Sequence, residues 1–460
     1  MGAAAVVIAA TSALAQQPAT TFHANGHAIL REAIETNTTG SSGNTTDLSN
    51  KIAARFRSAG IAAADIQIVG PAEKNQNLVV RYRGKAGSTK KPVLLLAHLD
   101  VVEAKREDWT YDPFKFTETG GYFYGRGTQD QKGGAATLAA SLLRLKAENY
   151  VPDRDLILAL TAGEEGGMPY NGVEWLLKNK KSLIDAEYTI NVDAGGGEIE
   201  KGKHTLFDVQ AAEKVFHSVT LTTHNPGGHS SLPRKDNAIY SLARALDHIA
   251  AFDFPAKPND VVKAYFNKAA AVATPAVAAD MKKAAAGSTD AAVFARLSSD
   301  PHNNALLRTT CVATMLQGGH AENALPQSAK ATVNCRMLPG SDPAEVERML
   351  VRAINDTNVH LTAADTAKPS PASPLRPDVL NAVGESVKAI WGPLPVVPIM
   401  ETGATDGLYL RNAGVPVYGF SGLFIGNDDI RAHGKDERIL VKSFDDALDF
   451  TYDLLKRITR

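Results

Sequence analysis

Acidic and imidazole side chains recur where short apolar runs end: His98 and Asp100 follow PVLLLA, Glu164 and Glu165 follow DLILALTAG, and Asp193 follows YTINV. The carboxyl ends of strands line the ligand crevice of open α/β sheets, so these residues converge if the runs are neighbouring strands. Taken singly, each acid reads as well as a helix cap or loop residue; it is their recurrence that points to chemistry. Imidazole and carboxylate donors together suit Zn, Co or Mn, and a pair of such ions needs a bridging carboxylate. Asp130, in the turn GRGTQDQKGG ahead of a helical pattern, is the candidate bridge.

The elements that would position these groups follow from hydrophobic period. QNLVVRYRG, KPVLLLAHLD, DLILALTAGEE and YTINVDAGGG are continuously apolar strand candidates, whereas KGGAATLAASLLRLKAEN, NGVEWLLKNKK and DLSNKIAARFRSAG, closed by Gly60, carry helical spacing. Strands that alternate with helices and lack a polar face predict an α/β fold, a mostly parallel sheet flanked by helices. From Lys214 the pattern changes: VFHSVTLTTHN alternates like a half-buried strand, and a helix and two cysteine-bearing strands follow, as in an inserted α+β unit. The Ala-rich stretch from Phe254 to Leu306, broken by Pro255, Pro258, Pro275 and Pro301, reads as a mainly helical insertion that enlarges this second unit. After the linker TAKPSPASP the alternation resumes, so the chain returns to its first domain. The expected division is 16–213 with 368–460 for the first domain and 214–367 for the second, its helical insertion lying near 255–305.

Charge and composition exclude other classes. Lys and Arg number 49 against 50 Asp and Glu in 460 residues, which supplies no broad field for nucleic acid or an anionic membrane. The start, MGAAAVVIAATSALAQQPAT, has an apolar run ending at the small-x-small site Ala13-Leu14-Ala15, so residues 1–15 read as a signal peptide and the protein as periplasmic or secreted. No later run approaches the roughly 18 apolar residues of a membrane span. Cys311 and Cys335 sit in strand-like runs either side of GGHAENALPQ; antiparallel pairing would bring them face to face, and both a disulfide and two free core thiols remain open.

In their order along one chain, HLD at His98, YGRGTQDQKGG around Asp130, GEEGG, NVDAGGG, GGHSSLP at His229, ETGATDG near Asp406 and AHGKDE at His433 resemble the di-zinc metallopeptidases. That family includes glutamate carboxypeptidase, carboxypeptidase S, aminoacylase, acetylornithine deacetylase and succinyl-diaminopimelate desuccinylase. The resemblance implies a zinc-peptidase catalytic domain with an inserted lid and dimerisation domain. It implies two zinc ions, with Co or Mn as possible substitutes: one held by His98 and Asp193, the other by Glu165 and His433, with Asp130 bridging and a cis peptide after it. It leaves Glu164 as general base, puts Asp100 behind His98 as the acceptor that fixes its tautomer, and gives His229 the oxyanion, reached across a homodimer interface. Glu437 is a candidate for the same supporting role at His433, a plain surface acid being the alternative. Asn323, Arg336, Gly403 and Thr405 match positions that grip a substrate carboxylate. Departures are Gln131, Ala404 and the helical insertion, and His217, His224, His248 and His302 match no motif. The implied reaction is hydrolysis of an amide bond beside a free carboxylate by a metal-bridging hydroxide, in a small peptide or an N-acyl amino acid. An aminopeptidase of a related clan and a non-catalytic binding protein on a peptidase fold are the alternatives.

Overall fold

A computed structural model describes residues 19–460; the expected signal peptide lies outside the described residues. Among these residues no helix is long and apolar enough to cross a membrane. A ten-stranded sheet carries the molecule. Its centre is Val93–His98, hydrogen-bonded in parallel to Leu156–Thr161 on one side and Tyr188–Asn191 on the other. The first two are buried at every position, which is why they read as unbroken apolar runs. Helices Ala19–Ile34, Lys132–Ala147 and Val441–Arg457 contribute to the larger core on one face, and Gly172–Asn179 and Gly407–Asn412 to the smaller core on the other. The sheet is thus sandwiched, as parallel pairing requires.

The chain leaves this sheet at Glu213, the end of strand Lys203–Glu213, and enters a four-stranded antiparallel sheet in the order Thr310–Gly318, Ser328–Met337, Val215–His224, Val359–Ala363. Val215–His224 alternates buried and exposed residues. Helices Ala238–Ala251 and Pro343–Ile354 cover one face and close a separate core. Cys311 and Cys335 are directly opposite in the ladder and form a disulfide.

The helical insertion departs from expectation in where it packs. Helices Asp260–Ala269, Pro275–Ala285, Ala291–Leu297 and Pro301–Leu307 send Val262, Phe266, Met281, Val293 and Leu306 into the core of the large sheet, not that of the small one. Amphipathic helices bury their stripe on whichever apolar surface lies nearest, here the flank of strand Val396–Glu401. The insertion therefore extends the first core. Phe266 is fully buried, so Phe266→Ala is expected to cost about 3–5 kcal/mol and to shift the main urea transition rather than add an early one.

Candidate metal centre

The convergence anticipated from the sequence follows from strand adjacency. His98 ends the central strand, Glu164 and Glu165 follow Leu156–Thr161 through a turn in which Gly163 takes φ +87°, and Asp193 lies two residues beyond Tyr188–Asn191. Asp130 comes from the loop ahead of helix Lys132–Ala147, and its bond to Gln131 is cis. His433 arrives from the far end of the chain with φ +62°, a conformation that non-glycine residues hold only where the surroundings impose it.

Asp130 turns one carboxylate oxygen to each imidazole: Oδ1 lies 3.1 Å from His98 Nε2, and Oδ2 lies 3.0 Å from His433 Nε2. Asp193 Oδ1 is 3.3 Å from His98 Nε2, and Glu165 Oε2 is 3.0 Å from His433 Nε2. Two donor sets sharing Asp130 result, and Glu165, not Glu164, pairs with His433. Ligand atoms of Glu164, His98 and Asp193 nevertheless fall within 4.8 Å of one another, which keeps Glu164 beside the cluster.

Asp100 supports the centre differently from the expected way. His98 Nδ1 donates to the backbone carbonyl of Asp100 at 2.9 Å, while the Asp100 carboxylate stands 3.8 Å off. That carboxylate instead accepts the backbone N–H groups of Gly163, Glu164 and Glu165 at 2.8, 3.3 and 3.1 Å. The tautomer of His98 is still fixed, leaving Nε2 as the ligand atom, but the side chain of Asp100 holds the loop of the two glutamates. Glu437 plays the matching part opposite. Fully buried, it accepts from Arg126 at 2.7 Å and from the N–H groups of Gly127, Gln129 and Asp130 at 3.1, 2.7 and 3.1 Å. It is no surface acid, and it orders the Asp130 loop rather than His433.

Electrostatics show the same crowding. Burial, reinforced by the charge of Asp193, pushes Glu164 well above the usual carboxylate range. Burial and Asp130 raise Glu165 to about 7, and burial raises Asp193 to about 6 against the pull of His98. Asp130 moves the other way: although burial opposes it, hydrogen bonds from His433 and His98 keep its carboxyl low. So many carboxylates around two imidazoles are relieved by added positive charge, and this nitrogen and oxygen donor set fits divalent transition metals.

Of the other expected site residues, His229, Asn323 and Arg336 belong to the second unit, whereas Gly403 and Thr405 follow a strand of the large sheet. His229, exposed, sits on the short strand Gly228–His229 paired with Ala324–Leu325; its Nδ1 accepts the Ser231 N–H at 3.2 Å, leaving Nε2–H as a donor. Asn323 adjoins it, its carbonyl accepting Ser230 N–H at 3.0 Å. Arg336 is half-buried with its guanidinium 4.9 Å from the Phe216 ring centroid, and among the described residues no carboxylate pairs with it. Gly403 is part-exposed at the turn after strand Val396–Glu401. Thr405 does not serve as a free donor: its N–H and hydroxyl both go to buried Glu213, at 3.1 and 2.8 Å. Its neighbour Asp406, in the ETGATDG motif, is buried, accepts from Asn171 and Thr161 at 2.5 and 3.2 Å, and is raised by burial to about 7. Lys132, which no pattern singled out, is fully buried, donates to the Thr36 carbonyl at 2.9 Å and is driven down to about 7 by burial.

Residues 94–457 match Peptidase family M20/M25/M40. N-fatty-acyl-amino acid synthase/hydrolase PM20D1 of Homo sapiens is 27% identical over 376 residues, covering 79% of this chain and 74% of its own length. Probable carboxypeptidase S-like 2 of Dictyostelium discoideum is 27% identical over 405 residues, covering 83% and 74%. The crystal structure of an M20 family metallo-carboxypeptidase, Sso-CP2 from Sulfolobus solfataricus, superposes with a TM-score of 0.68 at 19% identity, over 94% of this chain and 99% of that one. Removing Glu437 strands Arg126 and three N–H groups. Glu437→Ala is therefore expected to lose about 3–5 kcal/mol in denaturant titration, whereas Asp100→Asn should keep the fold and weaken metal affinity about 10–100-fold, as read by calorimetry.

Proposed function

The chain belongs to peptidase family M20/M25/M40 and is thus a metal-dependent hydrolase; from that premise we propose a di-zinc enzyme that cleaves an amide bond beside a free carboxylate. The observation that carries this reading is Asp130, whose two oxygens face His98 and His433 separately. One zinc would be held by His98, Asp193 and Asp130, the other by Glu165, His433 and Asp130. Bound there, such a pair polarises a carbonyl and lowers the pKa of water. Glu164, raised by burial, is suited to take a proton from the attacking water and return it to the leaving nitrogen. His229, with Nε2–H free, would steady the oxyanion from a second copy of the chain. Arg336, half-buried and with no acidic partner among the described residues, is suited to an anion, and a planar guanidinium fits a substrate carboxylate. An aminopeptidase would need the opposite charge there. The disulfide supports export to the periplasm or beyond, since such bonds persist in oxidising compartments.

One further observation favours a peptide over an acyl chain. A cavity of about 370 Å³ opens on Asp130 and Asp193. Its wall sets Glu198, Asp208 and Glu401 among Ile399, Leu423, Ile425 and Ile430, with no lysine or arginine. Burial and the neighbouring Glu198, hydrogen-bonded to it, push Asp208 up to about 8; an apolar stem ending in an ammonium or guanidinium relieves that crowding, and a long hydrocarbon does not.

Glu164→Ala should retain both metals by mass spectrometry of the native protein and lose about 10²–10⁴-fold in kcat; full activity would remove the base from Glu164. With dipeptides, kcat/KM should be at least about tenfold higher for a lysyl or arginyl substrate than for an N-fatty-acyl amino acid with the same C-terminal residue. Arg336→Ala should raise KM for both about 10-fold or more, and equal rates on substrates lacking the carboxylate would count against the reading.

A further inference from the structure

Asp130 stands between two buried glutamines, and each spends its side chain on backbone beside a different terminal donor of the cluster. Gln129 uses its whole amide. Its Oε1 accepts the N–H groups of Arg431 and Ala432 at 2.7 and 3.0 Å, and its Nε2 donates to the carbonyls of Asp429 and Arg438 at 3.0 and 2.8 Å. These four groups lie on both sides of His433. Gln131 reaches the other way: its Nε2 donates to the carbonyl of Val192, the residue before Asp193, at 2.5 Å, and its Oε1 accepts the Gly134 N–H at 3.0 Å at the start of helix Lys132–Ala147.

Both terminal donors need such support. The side chain of His433 is 56% exposed, and Asn427, Asp428, Ile430 and Ala432 ahead of it are exposed too, so packing does not fix this loop. Arg438 anchors its far end through the Asp429 carboxylate at 2.9 Å, but the two peptides just before His433 give their N–H groups to Gln129. Only a side chain that both donates and accepts can satisfy that setting: a carboxylate would face the two carbonyls without a proton, and an apolar side chain would leave four polar groups unpaired. On the other side, strand Tyr188–Asn191 ends before Asp193. The Val192 N–H still joins the Leu96 carbonyl at 3.0 Å, and Gln131 takes the carbonyl that follows. Asp130 itself is held by neither amide, since its own N–H and those of Gly127 and Gln129 go to Glu437.

We propose that Gln129 and Gln131 are positioning residues for separate halves of the metal centre, Gln129 for His433 and Gln131 for Asp193. The inference rests on the reading of His433 and Asp193 as ligands of different ions. Groups that orient a ligand from behind set metal affinity by about 10–100-fold. Each glutamine therefore tunes one ion and leaves the other alone, although both flank the residue the ions share.

The test dialyses full-length, Zn²⁺-loaded enzyme against graded chelator and counts the zinc retained per chain by native mass spectrometry. Gln129→Met and Gln131→Met, close in shape and uncharged, are compared with His433→Ala, Asp193→Ala and the four double variants. Each methionine variant should weaken one equivalent about 10–100-fold and keep the other at wild-type affinity, which also shows that it is folded. In the His433→Ala background Gln129→Met should have no further effect while Gln131→Met still weakens the remaining ion; in the Asp193→Ala background the two should exchange roles. Equal weakening of both equivalents by either glutamine variant, or no weakening by either, would overturn the assignment while leaving the ligand reading intact. Two zinc ions retained at wild-type affinity by both His433→Ala and Asp193→Ala would instead remove the ligand reading, and this inference with it.

Discussion

The candidate metal cluster depends on two buried carboxylates that lie outside its donor set. Asp100 gathers the N–H groups of residues 163–165, and Glu437 gathers those of Gly127, Gln129 and Asp130. In each case an anion that would be costly alone in the interior is satisfied by backbone donors that would themselves be costly unpaired. The two problems cancel, and what remains is a loop with one conformation. Ligand carboxylates that repel one another would otherwise spread. Here their backbones are pinned before any cation arrives, which is the preorganisation that a coordination sphere needs.

The pins also explain why the ends of the chain must be in place for the centre to exist. Glu437 and His433 lie just ahead of the last helix, and that helix packs on Lys132–Ala147, which begins two residues after Asp130. The first helix packs against the same element. Asp130 is therefore fixed from three separated segments at once.

What the sequence made legible was what depends on local period and strand adjacency. Unbroken apolar runs identify central parallel strands, and the polar residues at their ends become a site once those strands are neighbours. Residues whose role depends on distant backbone could not be read in the same way. Glu437 looks like one more acid near the C-terminus until the N–H groups of residues 127–130, some 300 positions earlier, are brought to it. Asp100 carries two acceptors, and the letter D does not say that the carbonyl takes His98 while the carboxylate takes the glutamate loop. Thr405 shows the same limit, since a hydroxyl in a glycine-rich turn looks free until buried Glu213 claims it. The helical insertion announced its amphipathicity but not its partner: an apolar stripe specifies that it is buried, not against which sheet.

The junction between the two sheets is fixed by two consecutive residues whose side chains are committed in opposite directions. Glu213 accepts both donors of Thr405 and lies 2.9 Å from Arg411, all on the side of the large sheet. Lys214 donates to the Arg308 carbonyl at 2.8 Å and the Thr310 hydroxyl at 3.2 Å, at the start of the small sheet, and burial lowers its ammonium to about 7. A lysine with no carboxylate partner among the described residues and a glutamate paired across a buried contact are both expensive in the interior, and each is satisfied only while its own body is intact. The peptide between them is where the chain passes from the large sheet to the small one. Interactions that count toward rate are those realised at the transition state. On the proposed reading, the residues that would grip a carboxylate and those that would act on the neighbouring amide belong to separate cores, so a grip realised at the transition state requires both cores to be held together.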